Sequence, residues 1–145
     1  MKSIAKIVLL FFTVTGLLLT SGCGGDGPSA SEVALKKLMA HPWHLSNALV
    51  DGTDKTAVYS GLSITFTKTD FTATDITPSW PTTGTWKFSD KSAKEILRGD
   101  DLLIEIIELN DDTLKISYTW SSTTFEPGRT NSVSGNHVLT FSKTI

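Results

Sequence analysis

The sequence predicts an all-β domain, a small antiparallel up-and-down barrel of about eight strands with a short N-terminal helix. Three observations predict it. Apolar residues alternate with hydroxylic or charged ones in Leu62-Ser63-Ile64-Thr65-Phe66-Thr67, Gly84-Thr85-Trp86-Lys87-Phe88-Ser89 and Leu114-Lys115-Ile116-Ser117-Tyr118-Thr119-Trp120, the pattern of half-buried antiparallel strands. The apolar period changes from near 3.6 to 2 at Trp43 and stays there. Asn110-Asp111-Asp112 supplies turn chemistry between two apolar runs, which marks a hairpin. With 145 residues, 39% of them hydrophobic and 19% charged, the chain has the material for one modest core and not the composition of a disordered one.

The N-terminus reads as an export signal. Lys2 and Lys6 precede an apolar run over 7–19, thirteen residues long, which is too short to span a bilayer comfortably. Small residues follow in Thr20-Ser21-Gly22-Cys23. This stretch resembles the lipobox of bacterial lipoproteins. The resemblance implies that residues 1–22 are removed and that Cys23, the only cysteine of the chain, becomes residue +1 carrying a diacylglyceryl group and palmitate-type acyl chains. One myristoyl chain holds a protein to a membrane only marginally, whereas two or three make attachment effectively permanent. Loss of Lys2 and Lys6 takes the net charge from −2 to −4. That leaves no electrostatic footprint for nucleic acid, so the membrane partner is engaged through the anchor on Cys23. Gly24 stands where inner-membrane retention signals place Asp, which by resemblance directs the protein to the outer membrane, facing the periplasm.

Residues 23–30 form the lipidated, Gly-rich tether, reaching about 15 Å, and residues 31–145 form the domain. A short helix is expected over 31–40, with Ser31 as cap, Val33, Leu35, Leu38 and Met39 on roughly one side, and Pro42 ending it. Besides the three clear strands, weaker alternation marks 43–50, 71–76 and 137–143, with a short candidate at 95–98. Residues 102–109 are apolar on both parities, with Glu105 and Glu108 on opposite ones. They fit either a strand buried on both faces, beneath the helix, or one containing a bulge.

The helix, the Trp43 strand start with Leu38 and Leu45 near it, the Gly84-Thr85-Trp86 start and the hairpin Leu109-Asn110-Asp111-Asp112-Thr113-Leu114 together resemble the lipocalin-like domains of bacterial lipoproteins. The resemblance covers about 31–145. It implies a barrel that takes a small apolar or amphipathic ligand at one end, and a late cation packed over Trp43, for which Arg98, Arg129 and Lys143 are the candidates. Trp80, Trp86, Tyr118 and Trp120 are the expected ligand-binding side chains.

The apolar parities carry eight large rings, Trp43, Phe66, Phe71, Trp86, Phe88, Tyr118, Trp120 and Phe141. An eight-stranded barrel is just wide enough to be filled by side chains or to hold one small ligand, and eight rings favour a filled interior or a shallow pocket at one end. Two loops are long enough to do more than connect. One is 77–82, where Trp80 stands between Pro78 and Pro81 and reads equally as an exposed anchor or as a lid; the other is 121–133, with Pro127, Gly128 and Arg129.

Catalytic signatures are missing from the sequence: it carries no phosphate loop, nucleophile elbow or Ser/His/Asp spacing. His41 and His44 straddle Pro42, His137 is distant and no second thiol exists, so neither a metal site nor another cofactor is expected. Asp100-Asp101 and Asp111-Asp112 read as solvated turns. The expected function is therefore not enzymatic. It is ligand binding by a lipid-anchored envelope module, or alternatively contact with an envelope protein by a filled barrel without ligand.

Overall fold

The computed structural model describes residues 27–74, 77, 79–121 and 133–144; Cys23 and Arg129 lie outside them. Helix α1 (Ala30–Leu38) is capped by Ser29, not by the expected Ser31. The Glu32 backbone N–H donates to the Ser29 hydroxyl at 3.3 Å, and the Ser29 N–H donates to the Glu32 carboxylate at 2.7 Å. A Ser with Glu three residues on satisfies two helix-end groups reciprocally, an arrangement Ser31 cannot form because position 34 is Ala. At the other end the helix stops before Pro42 restricts it. The Trp43 indole N–H donates to the Leu38 carbonyl at 3.0 Å, satisfying a helix-end acceptor and seating the ring, fully buried, beneath the last turn.

The strands follow in chain order: β1 (Trp43–Val50), β2 (Thr53–Asp54), β3 (Ser63–Phe66), β4 (Asp70–Ala73), β5 (Thr83–Phe88), β6 (Glu95–Arg98), β7 (Leu103–Leu109), β8 (Thr113–Trp120) and β9 (Gly135–Ser142). From β3 to β9 each pairs antiparallel with the next. β1 pairs with β3 on one side and with β9 on the other, from His44 opposite Ser142 to Val50 opposite His137. This closes an eight-stranded up-and-down barrel of the lipocalin-like kind, and closure removes the sheet edges that would otherwise invite aggregation. The two-residue β2 is a hairpin leg on β1, turned through Asp51 and Gly52, both with positive φ. It leads into a 3₁₀ turn (Thr56–Tyr59). Neither was expected from the alternation.

β7 contains a bulge, the second of the two arrangements its pattern allowed. The pairing with β8 slips between Ile106 and Glu108, so Glu105 and Glu108 are both exposed despite opposite parity. Ile104 points into the core and Ile107 out of it.

Trp43, Phe66, Phe71, Trp86, Tyr118 and Phe141 are buried as their parity requires, while Phe88 and Trp120 are only partly covered. Two more rings, Tyr59 and Trp80, fill space that the strand count assigned to none. Gly84 lies opposite Phe71, whose ring would stand 2.7 Å from a Cβ at that position, so the ring packs across the strand because the glycine has no side chain. The barrel has two distinct ends. One is closed by α1 and the β7–β8 turn. The other carries the 3₁₀ turn, the segment leading to β5, the β6–β7 turn and the approach to β9. Among the described residues no helix is long and apolar enough to cross a membrane.

Candidate functional site

The loop end of the barrel gathers the molecule's unusual chemistry. Trp80 is held in the segment ahead of β5 and is 2% exposed, so it is a lid turned inward. Its ring meets Phe71 edge-on at 5.6 Å and Tyr118 at 6.0 Å. Arg98, the last residue of β6, lies with its guanidinium carbon 5.1 Å from the Trp80 ring centre and 5.7 Å from that of Trp120. Such cation–π contacts gain strength when desolvated, and Arg98 is buried. Its charge is balanced by Asp100, which accepts from Nε at 2.8 Å and from Nη2 at 2.7 Å, while Nη1 donates to the Ser79 carbonyl at 2.9 Å. The hydrogen bonds from Arg98 hold the Asp100 carboxyl below the usual carboxylate range. Asp100 is therefore an ion-pair partner and not simply a solvated turn residue.

A second set of polar groups lies beneath. His137 is fully buried, with Nδ1 3.1 Å from the Gly135 carbonyl and Nε2 2.6 Å from the Tyr59 hydroxyl. A carbonyl only accepts, so Nδ1 carries the proton and Nε2 accepts from Tyr59. The Tyr59 proton being so placed, the 3.1 Å contact between Tyr59 and Ser79 requires Ser79 to donate, and the 2.7 Å contact between Ser79 and Tyr118 requires Tyr118 to donate. The protons thus run one way, from Tyr118 through Ser79 and Tyr59 to His137. The Tyr118 ring stacks on His137 at 4.9 Å and 8°. Burial raises both phenols and lowers the imidazole, so the chain of hydroxyls is neutral near neutral pH. Ser79 bonds to two phenols and not to the imidazole. This arrangement pins the Trp80 segment to β8 and β9 and does not prime a nucleophile.

Of the four side chains expected to bind ligand, Trp80, Tyr118 and Trp120 meet around Arg98. Trp86 lies towards the helix end, donating to the Thr67 and Asp70 carbonyls at 3.1 Å each and packing edge-on against Phe66 and Phe88. Of the four, only Trp80 and Trp86 line the small cavity inside the barrel, walled also by Phe66, Phe71, Arg98 and Ile104 among others; it is about 10 Å³, at most the space of one water. The indole nitrogens of Trp80 and Trp120 are buried without an acceptor among the described residues.

Arg98 covers Trp80 and Trp120, not Trp43 as the family resemblance implied for its late cation. Trp43 is instead covered by His41, whose ring centre is 4.3 Å away and whose nitrogens face the Pro42 and Asp111 carbonyls. Lys143 pairs with Asp112. The three histidines are far apart in role: His41 on Trp43, His44 on β1, His137 at the loop end. Tyr59, Ser79 and His137 were not expected at the site. One signal for His137 was present, a polar residue on the inward parity of Leu139 and Phe141. Of the loop 121–133, only Ser121 and Val133 are among the described residues. No family model matches the chain, and no curated protein matches it either.

Proposed function

We propose that the chain is a lipid-anchored protein of the bacterial envelope, acylated at Cys23, whose filled lipocalin-like scaffold presents its loop end to another envelope protein. The observation that carries this reading is the cavity among Phe66, Phe71, Trp80, Trp86 and Arg98 inside the barrel: about 10 Å³ of space among the described residues against the roughly 300 Å³ or more that a small-molecule site occupies. Polar groups that would face a ligand in an open barrel face one another here, in the Tyr118, Ser79, Tyr59 and His137 chain. All four tryptophans lie in the core or pack against it, so intrinsic fluorescence is a direct readout. Titration with fatty acids and similar amphiphiles is expected to leave the spectrum unchanged, and a saturable shift overturns the filled-scaffold reading.

A second reading, a small ligand taken at the loop end, is favoured by one observation. The Trp80 and Trp120 N–H groups have no acceptor among the described residues, and a buried donor without a partner costs about 1 to 3 kcal/mol. A carbonyl-bearing amphiphile that displaces Trp80 outward would accept from the Trp120 N–H and leave the Trp80 N–H to water. The same titration distinguishes the readings, since such displacement moves Trp80 from an apolar site into water and shifts its emission to the red.

A further inference from the structure

The outward face of α1 has no partner within the barrel. Val33 is 41% exposed and Met39 44%, with Lys36 between them at three-residue spacing, and Lys36 makes no ion pair among the described residues. An open groove runs along this face, walled by Pro28, Val33, Lys36, Ala40, His41 and Lys143. The carboxylates nearby are already engaged: Glu32 caps the helix, Asp111 pairs with Lys37 at 3.2 Å, and Asp112 pairs with Lys143. The groove is thus apolar with cationic margins and no excess of charge. Because Pro28 lies in its wall, the chain enters the domain on this side.

The length of chain ahead of the helix decides what this face meets. Five residues lie between Cys23 and the Ser29 cap, six Cα-to-Cα steps that even fully extended reach only about 20 Å. We infer that, once Cys23 is acylated, this face of α1 rests on the surface of the bilayer, Val33 and Met39 entering the interface while the Lys36 stem lies along it with its ammonium among the headgroups. The inference rests on the lipid-anchor reading above. It gives the molecule a fixed orientation: α1 closes one end of the barrel, so the end bearing Trp80, Arg98 and His137 points away from the membrane. Apolar contact and not net attraction sets the docking, so it is insensitive to the charge of the lipid.

On that reading the sole natural cysteine is blocked by the diacylglyceryl group on its sulfur, so a single introduced cysteine can be labelled selectively. The acylated mature protein is placed in vesicles of phosphatidylcholine, and in vesicles containing phosphatidylglycerol, with a fluorophore at Met39→Cys or at Leu103→Cys. Leu103 is equally exposed, at 48%, but lies at the loop end. The label at position 39 is expected to be quenched several-fold more by a headgroup-depth lipid quencher than the label at position 103, in both lipids, and Val33→Asp is expected to abolish the difference. Equal quenching at the two positions in an acylated protein overturns the docking and leaves the anchor standing. Quenching confined to the anionic vesicles overturns the apolar basis. Protection of position 39 that appears without lipid and grows with protein concentration assigns the face to a second copy. Absence of the acyl mass at Cys23 by mass spectrometry overturns the anchor, and the docking with it.

Discussion

The Ser79 hydroxyl joins two phenols, that of Tyr59 from the 3₁₀ turn and that of Tyr118 from β8. Its loss in Ser79→Ala leaves the Tyr118 proton without its acceptor in a buried site. This is expected to cost about 1 to 3 kcal/mol, read as a lower urea midpoint at unchanged slope. His137 adds a pH dependence whose sign follows from its burial. Its folded-state pKa lies below the ordinary 6.5, so the unfolded chain binds the proton more readily than the folded one. Stability from this residue is therefore fully present above about pH 6.5 and declines as pH falls through the folded value. Asp100, also lowered, adds its own loss further down, in the carboxylate range. Unfolding curves taken from pH 7 to about 5 are expected to show this decline in the native chain and a shallower one in His137→Gln. Identical slopes in the two proteins would show that the imidazole is not held neutral. Sequence parity pointed to Tyr118 as inward. It could not pair Tyr118 with Ser79, 39 residues away, because nothing local records which hydroxyls converge.

At the scale of the element, strand boundaries were legible wherever one face is wet. β1 and β6 run over the residues that alternation marks, 43–50 and 95–98, and β3, β5, β8 and β9 differ only at their ends. Alternation failed where geometry departs from a flat two-residue repeat. In β7 the bulge between Ile106 and Glu108 resets the parity, and in β2 two residues are too few to show a period, although Asp51-Gly52 carries a turn signature. The helix cap was read two residues late, at Ser31 in place of Ser29, because any serine ahead of an apolar run resembles a cap until the reciprocal Glu32 contact is considered. The pairing of Gly84 with Phe71 yields a prediction at this scale. Gly84→Val places branched carbon where the Phe71 ring lies and is expected to destabilise by about 1 to 3 kcal/mol. A melting temperature that is unchanged or higher would mean the ring rotates aside without loss.

For the molecule as a whole, the interior is the deciding feature. Trp86→Ala removes a buried indole from the wall of a cavity that holds about 10 Å³, and is expected to cost about 3 to 5 kcal/mol in thermal or urea unfolding. The space so made is lined by Phe66, Phe71 and Ile104, and engineered apolar cavities of this kind bind benzene. Benzene or indole is therefore expected to raise the melting temperature of Trp86→Ala and to leave that of the native chain unchanged. An equal rise in both would show that the native barrel already has room for a ligand.

The amino-acid pattern by itself determined the class of the fold, because a sheet with one wet face writes its period into the chain residue by residue. It also marked most of the rings that fill the barrel, from Trp43 to Phe141, since inward parity is a local property. Only the tertiary structure decided that Trp80 turns in as a lid, that Arg98 lies over Trp80 and Trp120 and not over Trp43, and that Tyr59, Ser79, Tyr118 and His137 share one line of protons. These are contacts between segments distant along the chain. Their energy depends on which side chains barrel closure brings within hydrogen-bonding or van der Waals reach, and that is set by the pairing of β1 with β9, not by any neighbour in sequence.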